Sequence, residues 1–348
     1  MSPNPDMPLR ELHAALGAVF GERGGGSVIA SYGSASDEYW AAHDHAGLAD
    51  LHDRGVLEVT GPQRQKFLQG MLSNDVVALQ PGEGCAAAFL SAKGALQALV
   101  RVLVDAAAVA LETAADRIAL QHSLEHYRVA APVRFAPRPT AVFAVIGPAA
   151  PAVLATAGAA APARAAEAHA AATIAGHSVR IVRAGDLPTG GFVVHAPAMA
   201  GAAVWQALHF ADARLVGRDA LDALRVESLR PWYGSDVDAS NLLHETGLQA
   251  ECHSSTKGCY VGQEVVARLE ARGGNVNRAL RGLRLERPVE PGAAITAEDR
   301  DVGRVTTAAV SPRLGPIAMG YVHRSHFAPG TRVRVAGAPA TVVGSFEE

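Results

Sequence analysis

Apolar and polar positions change period several times along the chain, and each change marks an element. Leu9, Leu12, Leu16, Val19 and Phe20 fall near helical spacing. They predict an amphipathic helix within residues 1–34, followed by a flexible break at Gly24-Gly25-Gly26. From Gly55 to Thr60 the run GVLEVT alternates, as a half-buried strand does. Gly61-Pro62 turns it into a helix, Pro62 suiting a first helical position. Phe67, Leu68, Met71 and Leu72 give that helix an apolar face, and Ser73-Asn74-Asp75 ends it with turn chemistry. Strands over Cys85–Leu90 and Ala95–Val104 are joined by Ser91-Ala92-Lys93-Gly94, a hairpin with glycine at the tight position. A strand over Val109–Glu112 and a helix over roughly 116–126 complete an α+β unit.

AVFAVIG, from Ala141, opens a second α+β unit with a buried-strand pattern. Residues Pro148 to Ala175 are mostly alanine, broken by Pro151, Pro162, Arg164 and Glu167, and read as a linker or weak surface helix. Strands over Val179–Val182 and Gly191–His195 come next, then a helix from about Met199 to Phe210. Leu221 to Leu229 reads equally as helix or strand. From about Arg278 the runs RGLRLE, GRVTTAAVSP, AMGYV, GTRVRVAG and ATVVG alternate between close Gly and Pro signals. That punctuation predicts a small antiparallel β-barrel. The expected division is residues 1–34, then 35–140 completed by 230–277, then 141–229, then 278–348.

Composition narrows the function classes. With 348 residues the chain exceeds one ordinary core. A net charge of −3, without any run of Lys or Arg, argues against constitutive nucleic-acid binding through phosphates. No stretch of about 20 strongly apolar residues is present to span a bilayer. Met1 to Arg10 holds three prolines and lacks the basic-then-apolar order of a secretory signal. Cys85, Cys252 and Cys259 form no disulfide framework in a chain this long, so a reducing cytoplasm is expected.

The densest chemistry is Lys257-Gly258-Cys259-Tyr260-Val261-Gly262-Gln263-Glu264. Gly258 and Gly262 bracket a tight loop, and QEVVARLEA after it has helical propensity. Cys259 would precede a helix N-terminus with Lys257 nearby, and both features favour a thiolate. A buried structural cysteine is the alternative. Cys252, His253 and Cys259 match no zinc knuckle spacing, and three cysteines fall short of a cluster's four thiolates, so no permanently bound metal is expected. Transient contact of Cys259 with a cluster remains open. Glu227, between apolar neighbours, reads as a partly buried carboxylate. It either pairs with Arg225 or Arg230, or accepts two N–H groups from a heterocycle edge. His43, His45 and His52 read as surface residues, and no nucleophile elbow, phosphate loop or dinucleotide fingerprint is present.

KGCYVGQE, Lys257 to Glu264, resembles the eight-position K-G-C-[YF]-x-G-Q-E motif of YgfZ-type proteins, within the glycine-cleavage T-protein superfamily. LEVTGPQRQKFLQGMLSNDV (Leu57 to Val76), DALRVESLRPWYGSDVD (Asp222 to Asp238) and GRVTTAAVSPRLGPIAMGYV (Gly303 to Val322) are similar to that superfamily's opening, folate-pocket segment and barrel. The resemblance implies a T-protein-like α+β fold: two ferredoxin-like α+β domains plus a C-terminal antiparallel β-barrel around a central folate pocket. It implies tetrahydrofolate or a derivative as cofactor, with Glu227 holding the pterin ring and Asn74, Gln263 and Arg230 as further cofactor-binding residues. Cys259 and Lys257 become the reactive pair, and Gly258, Tyr260, Gly262 and Glu264 the rest of the motif.

Where the T-protein has an acidic residue after the hairpin, this chain has Gln97 and Ala98. The glutamate of the T-protein's T-G-E pattern is also missing at Thr189-Gly190-Gly191-Phe192. The resemblance therefore leads to a folate-binding accessory factor that meets iron–sulfur client enzymes transiently and indirectly supports tRNA modification. An ordinary aminomethyltransferase is not expected. The alternative is a tetrahydrofolate-dependent aminomethyltransferase or demethylase.

Overall fold

Sheet pairing decides which segments belong together, and it departs from the linear division in two places. The computed structural model describes residues 7, 9–23, 26–163 and 165–347. Helix α1 (Arg10–Ala15) is short, because Gly17 (φ 85) closes it in a left-handed turn. Strands β1 (Val19–Arg23) and β2 (Gly26–Ser31) then form an antiparallel pair. Val19 and Phe20 thus lie on a strand, not on the expected helix. Gly24 and Gly25 of the expected break lie outside the described residues. Ser34 caps α2 (Ala35–Asp44) by accepting from the Asp37 N–H. Strand β3 (Gly47–Asp50) follows.

The first sheet is built as its alternation predicts. Its elements are β4 (Gly55–Thr60), α3 (Arg64–Met71), β5 (Gly84–Leu90), β6 (Leu96–Val104), β7 (Ala108–Thr113), α4 (Arg117–His126) and β8 (Arg134–Arg138). Strand order is β5-β6-β7-β4-β8. Phe67 and Leu68 of α3 and Leu120 and Leu124 of α4 pack on Leu57, Val59, Val102 and Leu111 of the strands.

The second sheet collects β9 (Thr140–Ile146), β10 (His169–Ile174), β11 (His177–Arg183), β12 (Gly191–Pro197) and β13 (Arg214–Leu215), with helices α5 (Ala150–Thr156) and α6 (Gly201–Phe210). Its order is β10-β11-β12-β9-β3-β13. Strand β3 therefore belongs here, which corrects the assignment of residues 35–50 to the first unit. A four-residue strand carries too little periodicity to name its partner. The Ala-rich stretch is not simply a linker either. Val153 and Leu154 of α5 enter the core with Phe143, Phe192, Trp205 and Leu208, and β10 forms the sheet edge.

The ambiguous stretch is helix α7 (Arg218–Glu227), followed by short α8 (Gln249–Cys252) and α9 (Gln263–Ala271). The remainder is β14 (Arg278–Leu285), β15 (Ala294–Ala297), β16 (Arg300–Ser311), β17 (Gly315–His323), β18 (Arg332–Val335) and β19 (Ala338–Val343). These six close an antiparallel barrel in the order β14-β17-β16-β15-β18-β19. No described helix is long and apolar enough to cross a membrane.

A buried charge cluster fastens the barrel to α7. Arg225, fully buried, donates to Asp222 at 2.8 and 3.0 Å, to Thr307 of β16 at 2.9 Å, and to Asp236. Asp236 in turn accepts from Thr306 and Thr307 at 2.6 and 2.7 Å. Removing one member of such a cluster strands the others in low dielectric. Arg225→Met is expected to lower stability by about 3–5 kcal/mol in denaturant unfolding. A loss under about 1 kcal/mol, typical of exposed pairs, would mean the cluster does not hold the barrel.

Candidate functional site

A strained turn after α7 builds one wall of a cavity. The N–H groups of Leu229 and Arg230 bond to the Val226 and Arg225 carbonyls at 3.0 and 2.9 Å. That closure places a left-handed residue at Leu229 (φ 50), where glycine is the usual occupant. The chain is thereby directed so that Arg230, Pro231, Trp232 and Tyr233 face the first and second sheets across a cavity of about 90 Å³ that opens to solvent. Leu99 and Val100 of β6, Ala86 and Ala87 of β5, and Leu248 and Cys252 complete the apolar walls. The Trp232 ring lies 4.8–5.2 Å from the guanidiniums of Arg54, Arg218 and Arg225. Its indole N–H has no protein partner.

The floor is charged. Arg101 and Glu112 stand opposite each other on β6 and β7 and are hydrogen-bonded. Arg101 also donates to Glu167 at 2.5 Å and to Asp186, both from the second unit. Arg54 donates to Glu112 at 3.0 Å and pairs with Asp186 at 2.9 Å. His195 of β12 meets Glu112 at 2.6 Å. Burial lowers the His195 pKa, so the ring is neutral at neutral pH, and because a carboxylate only accepts, Nε2 carries the proton. Burial alone would raise the Glu112 carboxyl, but Arg101, His195 and Arg54 outweigh it and hold the group well below its ordinary value. Burial lifts Glu167 above its ordinary value, with Arg101 opposing. Asp186 is drawn down by Arg101 and Arg54 against its burial.

Five carboxylates (Asp53, Glu112, Glu167, Asp186, Glu251) thus line the cavity against three guanidiniums (Arg54, Arg101, Arg230). Asp186 and Asp53 keep side-chain exposures of 36% and 42%, which leaves acceptor capacity free inside the cavity. Aromatic and aliphatic walls over acceptors suit a flat heterocycle rich in N–H groups, and a pterin is one.

The residues expected from the sequence are distributed unevenly around this cavity. Of the four cofactor-binding candidates, only Arg230 lines it. Glu227 sits away from the lining, and its carboxylate accepts from Tyr39 at 2.9 and 3.0 Å, from Arg313 at 2.8 Å and from Ser311. Neither Arg225 nor Arg230, the partners expected from sequence, bonds to it; Arg313 comes from the barrel. Burial and Glu227 push the Tyr39 hydroxyl up to about 12. Asn74 donates to the Ala86 and Glu251 carbonyls at 2.8 and 3.0 Å, tying β5 to α8 behind the cavity wall. Gln263 accepts from the Tyr260 N–H at 3.2 Å and so braces its own loop.

The motif loop is pinned at three points. Tyr260 is buried with Leu90, Leu96, Cys252 and Val266. Gly262 (φ 82) presses on the β5–β6 hairpin, where a Cβ would lie 2.5 Å from the Ser91 carbonyl oxygen. Lys257 is buried, and its ammonium donates to the Gln69 carbonyl at 2.5 Å and to that of Leu72, at the end of α3. It also lies 4.8 Å from the Tyr260 ring centroid, and burial pulls its pKa down to about 8. Lys257 is therefore committed to a helix C-terminus, which corrects its assignment as activator of the thiol. Gly258, Cys259 and Glu264 are left exposed. Burial pushes Cys85 up to about 12 and Cys252 higher still. Among the described residues no group of three or more His, Cys, Asp or Glu is placed to hold a metal ion.

Sequence reasoning missed the charged floor. Its signal was present: Arg101 within LQALVRVLV and Glu112 within VALET are charges inside otherwise apolar strands, and buried charges are almost always paired.

Two α+β units meeting at an acid-lined cavity, with a closed antiparallel barrel clamped to the helix between them, define the class. Comparison with known families agrees with it. The GCVT N-terminal domain matches residues 9–256, and the glycine cleavage T-protein C-terminal barrel domain matches residues 278–345. The chain belongs to the glycine-cleavage T-protein family. It is 30% identical to an aminomethyltransferase of Streptomyces coelicolor over 96% of this chain and 92% of that one. With an aminomethyltransferase of Saccharopolyspora erythraea the identity is 29%, over 96% and 94%. The glycine cleavage system aminomethyltransferase T from Bartonella henselae superposes with a TM-score of 0.88 at 25% identity, covering 97% and 96% of the two chains.

These full-length relatives overturn the expectation that an ordinary aminomethyltransferase is not at hand. That expectation rested on the missing carboxylate at Gln97 and Ala98, on the missing glutamate near Thr189-Gly190-Gly191-Phe192, and on the KGCYVGQE motif. The structure supplies carboxylates to the cavity from other strands and loops.

The floor makes an acid-dependent prediction. Glu112 contributes stability in full above about pH 4.5, its ordinary value, and loses it as pH falls through its lower folded value. Arg101→Met leaves Glu112, Glu167 and Asp186 short of a cation, costing about 3–5 kcal/mol at pH 7. Their carboxyls then take up protons earlier in the variant, so the deficit shrinks toward pH 4. Urea unfolding of both proteins at the two pH values measures it. An equal deficit at both would show that packing, not charge, is what Arg101 supplies.

Proposed function

We propose that this protein binds tetrahydrofolate or a derivative in the acid-lined cavity and acts as a tetrahydrofolate-dependent one-carbon transferase of the aminomethyl-transferring kind. The cavity carries this reading: flat apolar walls enclose carboxylates still able to accept N–H donors. The names of the full-length relatives support it. Bound folate would supply the acceptor for the carbon; the chain's own residues hold the ring and keep water from it. Two measurements on the full chain test the reading. Calorimetry with tetrahydrofolate is expected to show saturable binding, and an aminomethyl-loaded carrier protein is expected to release ammonia only when folate is added. Absence of binding overturns the reading altogether. Binding without ammonia release removes the transferase activity and keeps the folate site.

A second reading is favoured by Cys259, which is exposed on a loop whose other contacts are fixed by Tyr260, Gly262 and Lys257. In it the chain is a YgfZ-type folate-binding factor of the cytoplasm. Cys259 meets iron–sulfur clients transiently during assembly or repair, with tRNA modification as an indirect beneficiary. Because Cys259 touches none of the pinning contacts, Cys259→Ser is expected to keep the wild-type melting temperature within about 2 °C. Alkylation near neutral pH should label Cys259 ahead of Cys85 and Cys252. The Ser variant should fail to restore iron–sulfur enzyme activity in a deletion strain. Full complementation by a folded Ser variant would sink this second reading.

A further inference from the structure

Charge is distributed along the cavity in a way that orients what enters it. Arg54 and Arg101 at the floor are nearly buried, and both are bonded to carboxylates. Their charge is spent within the protein. Against these two guanidiniums stand Glu112, Glu167, Asp186 and Asp53, so this end of the cavity carries an excess of negative charge, repels an anionic group and accepts N–H donors. Arg230 differs from the other two guanidiniums. Its side chain is 32% exposed, and its ion-pair partner is Glu251, itself 46% exposed. An ion pair this open to water is weakly held and readily exchanged.

Backbone geometry fixes both members of that pair while leaving their side chains free to part. The left-handed turn at Leu229 places Arg230, and the Asn74 amide holds the Glu251 carbonyl at 3.0 Å. Cleaving the side-chain contact therefore disturbs neither main chain. Glu251 holds Arg230 through Nη1 alone, and an incoming carboxylate can take that donor together with a second N–H of the planar fork.

We propose that Arg230 is the anchor for the carboxylate tail of the folate, and that Glu251 is a built-in competitor for it. This rests on the folate reading of the cavity. The heterocycle lies toward the carboxylate-rich end, the tail runs to Arg230, and its carboxylate displaces Glu251 there. The competitor sets a threshold: ligands with several tail carboxylates displace it more readily than ligands with one, and a tail-less pterin gains nothing at this position.

Calorimetry on the full chain separates these statements with three probes: tetrahydrofolate, its tri-γ-glutamate form, and 6,7-dimethyltetrahydropterin, which has the ring without the tail. Glu251→Gln is expected to tighten both tailed ligands about 3-fold and to leave the tail-less pterin unchanged. Arg230→Gln is expected to weaken the tailed ligands about 10-fold or more, again without effect on the pterin. Both positions are partly exposed, and thermal melts near wild type confirm that folding is intact. Weakened binding in Glu251→Gln, or equal shifts for tailed and tail-less ligands, would overturn the inference while leaving the folate site in place. If none of the three probes binds the wild-type chain, the folate reading itself falls and takes this inference with it.

Discussion

One guanidinium holds the site together. Arg101 is rooted in the first sheet, yet two of its three carboxylate partners, Glu167 and Asp186, come from the second unit. Arg54 repeats the bridge through Glu112 and Asp186, and His195 reaches Glu112 from β12. Neither unit alone can balance these charges, so the two must dock in one register for any of them to be buried. The cavity exists because of that docking: its floor is the network, and its walls are β5, β6 and the segments around Trp232 and Cys252. Buried ion clusters of this kind add little net stability over an apolar substitute, but breaking one is costly. Their effect here is to fix geometry.

A second cluster, around Arg225, does for the barrel what Arg101 does for the two sheets. Helix α7 carries it, and the same helix ends in the left-handed turn that aims Arg230 and Trp232 at the cavity. Barrel docking and cavity shape are thus coupled through ten residues of helix. Glu227 belongs to this arrangement: through Tyr39, Ser311 and Arg313 it joins α2, α7 and the barrel. A carboxylate between apolar neighbours looks, in sequence, the same whether it meets a ligand or a distant arginine.

The motif loop illustrates how position overrides proximity. Lys257 is two residues from Cys259, which suggests an electrostatic pair. In the structure its ammonium is turned to the carbonyls at the end of α3, a site that attracts cations. Tyr260 is buried and Cys259 exposed although they are adjacent, because Tyr260 reaches the hairpin core and Cys259 points out of the same turn. The motif's fixed residues therefore serve the loop's seat, and the thiol is what the seat presents.

Local pattern determined much of this protein by itself. Alternation in GVLEVT, the glycine-turned hairpin, the apolar face of α3 and the close punctuation after Arg278 are short-range signals, and each became the element it predicted. The motif and the family resemblance were equally legible, since both are contiguous strings. Tertiary structure alone decided that β3 joins the second sheet, that the Ala-rich stretch contributes a core helix and an edge strand, and that Val19 and Phe20 extend as a strand. It also decided the site. Arg54, Arg101, Glu112, Glu167, Asp186 and Glu251 are scattered over some two hundred positions, and only Arg101 and Glu112 stand in a strand pattern that marks them as unusual. The physical reason is range: periodicity and turn chemistry act between neighbours in the chain, whereas charges choose partners by distance in space, which exists only after the sheets have met.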